Sequence, residues 1–147
     1  MDNQIDLRQE LEFLENFISV SDKQLSNLAR GLEDYSRALS VVQDHDMEKS
    51  KDTLMSAGGG VFIRGTVSPD SNTLVSIGSD VFIEETKENT AERLKKLIEE
   101  IRRSFDGLNS QRTEALRRYE MIVSALNSQQ KEQEADGVAP SGYGQGL

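Results

Sequence analysis

The chain has 147 residues, the length of one domain, but only 35% of them are hydrophobic and 5% aromatic. These values are low for a compact enzyme, and they favour a protein stabilised along a line or by assembly. The net charge of −9 and the pI near 4.7 argue against nucleic acid and anionic membranes as partners, because both attract clustered Lys and Arg.

A heptad repeat occupies the first third of the chain. Ten of its twelve seam positions are apolar or aromatic, and they are Leu7, Leu11, Leu14, Ile18, Ser21, Leu25, Leu28, Leu32, Tyr35, Leu39, Val42 and Asp46. A 3.5-residue period held over so many heptads is typical of a coiled coil. The sequence therefore predicts a first helix over residues 3–52.

A short block with the composition of β-strands follows. Ala57 and the three glycines after it cannot continue a helix well. Runs rich in β-branched and aromatic residues, separated by turn residues, then predict strands at Val61–Val67, Thr73–Ile77 and Val81–Glu85, with a weaker strand at Thr53–Ser56 before the glycines. The interpretation is two small β-hairpins within residues 53–86.

A second heptad repeat follows the strands and predicts a helix over residues 87–134, with Thr86 as its cap. Its seam positions are Ala91, Leu94, Ile98, Ile101, Phe105, Leu108, Arg112, Ala115, Tyr119, Ile122 and Leu126. Arg112 is expected to set the register of the helix pair by binding an acidic residue of the first helix, with Glu33 or Asp34 as candidates. Residues 135–147 end rich in glycine and are predicted to be disordered.

The predicted fold class is mainly α with a small β region. Because the two seams are nearly equal in length, a long antiparallel coiled-coil hairpin joined by two short β-hairpins is the simplest fold, as a single domain over residues 1–134. The strands have apolar faces and unpaired edges, which favour pairing with strands of other subunits. The sequence leaves open which strand face points inward. The predicted assembly residues are Val61, Phe62, Ile63, Val67, Leu74, Val75, Ile77, Val81, Phe82 and Ile83.

Several apolar residues lie off the two seams, near the start of the first helix and the end of the second. They are Ile5, Phe13, Phe17, Val20, Met121 and Val123. An antiparallel hairpin brings these two groups together at the end remote from the strands. Either they thicken the local helix packing, or they form a surface that binds apolar segments of another protein.

No residue pattern for catalysis, a cofactor or a metal site is found, and the expectation is a protein that is not an enzyme. The chain has no Cys, and its one His, His45, lies in an acidic stretch. Gly60–Thr66 has the spacing of a phosphate loop but lacks the Lys before the Thr and precedes no helix. Asp44, Asp46 and Glu48 fit no calcium loop. Neither a signal peptide nor a membrane span is visible, so a cytoplasmic location is expected.

The β-region and the start of the second helix resemble prefoldin, and specifically its alpha-type subunit. The resemblance is carried by the runs 60–67 (Gly-Val-Phe-Ile-Arg-Gly-Thr-Val), 74–84 (Leu-Val-Ser-Ile-Gly-Ser-Asp-Val-Phe-Ile-Glu) and 92–100 (Glu-Arg-Leu-Lys-Lys-Leu-Ile-Glu-Glu). Two hairpins between the helices fit the alpha pattern, since beta-type subunits have one.

This resemblance implies a hexamer of two alpha and four beta-type subunits, whose strands join into intersubunit β-barrels. It also implies an ATP-independent chaperone that captures unfolded client proteins between coiled-coil ends and transfers them to a group II chaperonin. The client-binding residues would be Ile5, Leu7, Phe13, Leu14, Phe17, Val20, Met121, Ile122, Val123 and Leu126. The alternative is a structural coiled-coil scaffold without client binding, which would not need extra apolar residues at one end.

Overall fold

The computed structural model describes residues 2–44 and 51–137, and it contains two long helices and four short strands. In chain order the elements are α1 (Asp2–Val42), β1 (Lys51–Gly58), β2 (Val61–Val67), β3 (Thr73–Gly78), β4 (Val81–Glu85) and α2 (Lys87–Asp136). The prediction of two long helices and two short antiparallel hairpins is confirmed. His45, Asp46 and Glu48 lie outside the described residues, as does the chain after residue 137.

Several element boundaries differ from those predicted. α1 ends at Val42 rather than at residue 52, and Lys51 and Asp52 belong instead to β1, where they pair with Val67 and Thr66. The partner of a seven-residue strand must be about as long as that strand, which extends β1 beyond the predicted residues 53–56. At the other end, α2 continues to Asp136, so residues 135 and 136 are helical.

The four strands form two separate antiparallel hairpins, here called hairpin A (β1 and β2) and hairpin B (β3 and β4). Hairpin A turns at Gly59 and Gly60, and hairpin B turns at Ser79 and Asp80. All four turn residues have positive φ, between 50° and 76°. Positive φ at both central positions is the pattern of a type I′ turn, whose twist matches that of the flanking strands.

The described residues divide into two compact units. The terminal unit contains residues 2–26 of α1 and, from residue 106 onward, the rest of α2 with Gly137. Its core consists of Leu14, Ala115 and Ile122, all at seam positions. The half-buried residues packed against this core are Leu7, Leu11, Phe17, Ile18, Tyr119 and Leu126. The heptad pattern therefore identified these side chains with one exception, Phe17, which lies off the seam.

The central unit contains the described residues between 27 and 105, including both hairpins. The two helices contact each other in this unit, where Ile101 Cδ1 lies 3.8 Å from the position a Cβ would take on Gly31. The seam residues Ala91, Leu94 and Ile98 are buried.

Polar contacts link the first turns of α2 to the residue that caps the helix, to hairpin B and to the connection between the two hairpins. The Asn89 N–H donates to Thr86 Oγ1 at 3.2 Å, so Thr86 caps the helix as the sequence predicts. Thr73 and the buried Thr90 share a hydrogen bond, and Lys87 Nζ donates to the Pro69 carbonyl at 2.6 Å.

An ion pair strengthens this attachment. Arg93 binds Glu85, and the hydrogen bond from Arg93 holds the pKa of that carboxyl below its usual range. The orientation of hairpin B is therefore set by α2.

Candidate functional site

Polar contacts join α1 and α2 in the terminal unit, and three of them involve described residues whose partners are known. Arg118 donates two hydrogen bonds to the Glu10 carboxylate, at 2.7 and 3.1 Å. The Tyr119 hydroxyl donates to Glu15 at 2.8 Å. The third contact joins Arg112 to Asp22. From the Glu15–Tyr119 contact to the Asp22–Arg112 contact, the residue number rises by seven along α1 and falls by seven along α2, which is the order of an antiparallel pair.

The partner predicted for Arg112 is wrong. The sequence offered Glu33 or Asp34, whereas the structure places Asp22 against the guanidinium. In an antiparallel pair the register decides which residues face each other. The contact from Glu15 to Tyr119 shows the register of the pair. Seven residues further along α1 and seven residues back along α2, the same register places Asp22 opposite Arg112.

The exposure of the predicted client-binding residues separates them into two groups. Leu14 and Ile122 are buried in the core of the helix pair, and Leu7, Phe17 and Leu126 are half-buried against it. Val123 is also half-buried. The remaining residues are exposed, with relative accessibilities of 56% for Ile5, 68% for Phe13, 45% for Val20 and 54% for Met121. These four side chains are free to contact another molecule.

Helical periodicity places most of the exposed apolar residues on one face of the helix pair. Phe13, Phe17 and Val20 follow the i, i+4, i+7 spacing and share one side of α1. Glu10 lies three residues before Phe13 on this side, and Arg118, its partner, lies three residues before Met121 on α2. We call the face that carries Phe13, Phe17, Val20 and Met121 the apolar face.

The other two interhelical contacts lie on the opposite face. Glu15 and Asp22 are seven residues apart on α1, and Arg112 and Tyr119 are seven apart on α2. A shallow groove of about 430 Å³ lies on this polar face. It is lined by Glu15, Ile18, Ser19, Asp22, Lys23, Leu116 and Tyr119. The heptad pattern alone does not reveal this groove. The signal in the sequence is Leu116, a large side chain directly after the small seam residue Ala115.

The electrostatics of the terminal unit follow from these contacts. The hydrogen bond from Arg118 lowers the pKa of Glu10 below its usual value of 4.5, and the hydrogen bond to Glu15 raises the pKa of Tyr119. Both pairs are exposed, so solvent screens them and they contribute more to helix register than to stability.

Replacing Arg118 with Gln is expected to lower the melting temperature of the chain at pH 7 by about 1–3 °C, since an exposed bidentate pair stabilises weakly. The folded-state pKa of Glu10 lies below its unfolded value. Its stabilising effect is therefore present above the unfolded pKa and is lost as the pH falls through the folded pKa. The difference between parent and R118Q should shrink as the pH falls below 4.5. Circular dichroism melts of the parent and R118Q at several pH values measure this difference in melting temperature.

Arg117→Gln is the matched control, because among the described residues Arg117 pairs within α2, with Glu114 at 3.1 Å. An R117Q effect as large as that of R118Q, with the same pH dependence, would mean that the interhelical contact has no special role.

The predicted assembly residues lie on the two hairpins, and most of them are exposed. The exposed ones are Val61, Phe62, Ile63, Leu74, Ile77, Val81 and Phe82. Val67, Val75 and Ile83 are half-buried, and the last two are cross-strand partners in hairpin B. A two-stranded sheet with so much exposed apolar surface is marginal in water, so both hairpins need further structure to cover them.

The described part of the chain contains no cluster of acidic and His side chains that could hold a metal ion. Within the same residues, neither helix has an apolar stretch long enough to span a bilayer.

Comparison with known proteins gives a consistent picture. The model of the prefoldin subunit family matches residues 6–132. The chain is 32% identical to prefoldin subunit alpha of Thermoplasma acidophilum over 119 residues, which is 81% of this chain and 92% of that protein. It is 31% identical to prefoldin subunit alpha of Thermoplasma volcanium over 90 residues, covering 61% of this chain and 69% of that protein.

A solved structure has a similar fold. It is the cryo-EM structure of filamentous PFD from Methanocaldococcus jannaschii, with a TM-score of 0.65 and 14% sequence identity. The match covers 79% of this chain and 97% of that one.

Proposed function

This chain belongs to the prefoldin family, and we propose that it is the alpha-type subunit of a hexamer with four beta-type subunits that captures non-native proteins without ATP. The captured proteins would then pass to a group II chaperonin. Family membership supports a role as a chaperone cofactor that assembles with other prefoldin subunits. To this role we add three proposals: the surface that binds clients, the stoichiometry of the hexamer and the transfer of clients to a group II chaperonin.

The exposed strands support the assembly step. Hairpins A and B present apolar side chains on strands whose outer edges have no partner in the described residues. Strands of other subunits would satisfy the backbone groups at these edges and cover the apolar side chains. Joined in this way, the hairpins of several subunits can close into β-barrels, which have no free edge.

The apolar face of the terminal unit is the single observation that carries client binding. Phe13, Val20 and Met121 are exposed although the core formed by Leu14 and Ile122 already holds the helices together. Large apolar side chains that helix packing does not require are suited to bind the apolar segments that non-native proteins expose. The net charge of −9 keeps such a surface soluble.

An aggregation assay tests the proposal. The chain is mixed with beta-type subunits, the complex is purified, and a chemically unfolded protein is diluted into it while light scattering is recorded. The complex is expected to suppress scattering equally with and without ATP. Absence of suppression by a well-assembled complex would contradict the proposal and favour the scaffold alternative. Suppression that requires ATP would also contradict it.

A further inference from the structure

A second groove lies on the polar face of the terminal unit, close to the end of α2. Its volume is about 310 Å³. Arg8, which lines this groove, lies seven residues before Glu15, and Leu126 lies seven residues after Tyr119. The groove therefore continues the register of the Glu15–Tyr119 contact by one heptad toward the end of the helix pair. We call it the end groove.

The end groove combines an apolar lining with polar groups that have no partner. Its half-buried lining residues are Leu11, Val123 and Leu126, and its exposed ones include Arg8, Asn127 and Gln130. Among the described residues, no partner is found for the guanidinium of Arg8 or for the side-chain amides of Asn127 and Gln130. These groups are available to bind a further segment.

The residues after Gly137 have a composition suited to this groove. Residues 138–147 read Val-Ala-Pro-Ser-Gly-Tyr-Gly-Gln-Gly-Leu and contain no charged side chain, in a chain that is 29% charged. A neutral segment can leave water for a groove without the large cost of desolvating a charge. Its glycines leave backbone N–H and C=O groups uncovered, and the amides of Asn127 and Gln130 can bind both, since each amide has donors and an acceptor.

Tyr143 is the aromatic residue of this segment. An aromatic ring with a hydroxyl suits a groove that is apolar inside and polar at its edge, because the ring packs while the hydroxyl stays hydrogen-bonded. The guanidinium of Arg8 adds an attraction, since a cation over the face of a tyrosine ring is stabilised by the negative charge of that face.

The length of the segment decides which groove Tyr143 can reach. Tyr143 lies six residues after Gly137, and six extended residues span at most about 22 Å. Gln130 lies seven residues before Gly137 on α2, which is roughly 10 Å along the helix axis. Leu116, in the other groove of the polar face, lies 21 residues before Gly137, which is roughly 30 Å. The ring can therefore reach the end groove and not the other one.

We propose that residues 138–147 fold back and dock in the end groove, with the ring of Tyr143 packed on Leu126 beneath the guanidinium of Arg8. Because groove and segment belong to one chain, the short connection gives an effective concentration in the millimolar range, and a weak contact is enough for docking. The docked segment covers Val123 and Leu126, two of the predicted client-binding residues, and leaves the apolar face open to clients. This consequence rests on the proposed function, whereas the docking itself does not.

Tryptophan fluorescence tests the docking. The chain has no Trp, so Tyr143→Trp adds one indole whose emission reports on position 143 alone. In the full chain, without client or ATP, its emission is expected at shorter wavelength than that of a peptide of residues 138–147 with the same substitution. Adding R8A, N127A and Q130A should shift the emission to longer wavelength. The acrylamide quenching constant should rise roughly twofold or more, since a groove buries most of its ligand's surface.

The matched control adds R30A, N16A and Q111A to Y143W. Arg30, Asn16 and Gln111 have the same side-chain types, are exposed and lie outside both grooves. The quenching constant of this variant should equal that of Y143W alone. Circular dichroism melts of the two triple variants show that the helices are kept in both. Equal quenching constants in the two triple variants, or an indole in Y143W as exposed as in the peptide, would overturn the inference.

Dilution and the aggregation assay separate the other possible occupants. Docking within one chain does not depend on protein concentration, so an emission that moves to longer wavelength on dilution would mean that a second copy supplies the segment, and the inference would be wrong. An exposed indole together with weaker protection of clients by R8A/N127A/Q130A would mean that the end groove holds clients. The inference would then be wrong while the proposed function stands. A docked indole in a chain whose complex suppresses no aggregation would contradict the proposed function alone.

Discussion

Replacing Val75 or Ile83 with Lys is expected to abolish assembly with partner subunits. These residues pair across β3 and β4 on the half-buried face of hairpin B. Covering this face with another subunit would place the ammonium group in an apolar environment. That costs on the order of 3 kcal/mol or more, which weakens association about a hundredfold or more. Sizing by light scattering should show loss of the complex.

The helical circular dichroism of both variants should largely survive, because the helix cores are formed by other residues, such as Leu14 and Ile122. Ser68→Lys, an exposed position after β2, adds the same charge and should leave the complex intact. Assembly of V75K and I83K at parental affinity would show that this face is not covered by a partner.

The triple replacement of Phe13, Val20 and Met121 with Ser is expected to remove most of the protection against aggregation while leaving the complex assembled. All three side chains are exposed, so their loss spares the helix core. Each can contribute roughly 1.5–3 kcal/mol when buried against a client, so capture should weaken by well over tenfold. A triple change is used because joint binding of one client by several subunits would mask a single loss. Phe17 is left in place, since it packs against the core.

The matched control replaces Gln9, Asn16 and Glu120 with Ser. These residues are exposed on the same two helices but are polar. The control complex should protect the client as the parent does. If the two triple variants protect equally well, the apolar face is not the client surface, and the groove near Leu116 on the polar face becomes the better candidate.

The elements could be predicted from sequence where side-chain pattern and turn chemistry agree. β2 and β4 begin where predicted because each run of β-branched and aromatic residues starts directly after two turn residues with positive φ. The start of β1 could not be predicted, because Lys51 and Asp52 have weak preferences of their own and become strand only by pairing with Val67 and Thr66. Their structure depends on a partner that is distant in the sequence.

The candidate site was predictable in composition but not in arrangement. The heptad pattern distinguishes Leu14 from Phe13, which is why the exposed apolar residues could be recognised. It could not show that Phe17 is half-buried, because an off-seam side chain next to the seam can turn toward the core. It also could not identify Asp22 as the partner of Arg112, since that depends on the register between two helices far apart in the sequence.

Site-specific photo-crosslinking tests most directly whether the apolar face receives non-native protein. A benzophenone-bearing amino acid replaces Phe13 in one assembled complex and Arg37, an exposed residue of α1 in the central unit, in another. With a chemically unfolded client and no ATP, strong crosslinking is predicted from position 13 and little from position 37. The same client in its folded state should crosslink weakly at both. Equal crosslinking from the two positions, or none from position 13, would contradict client capture on the apolar face.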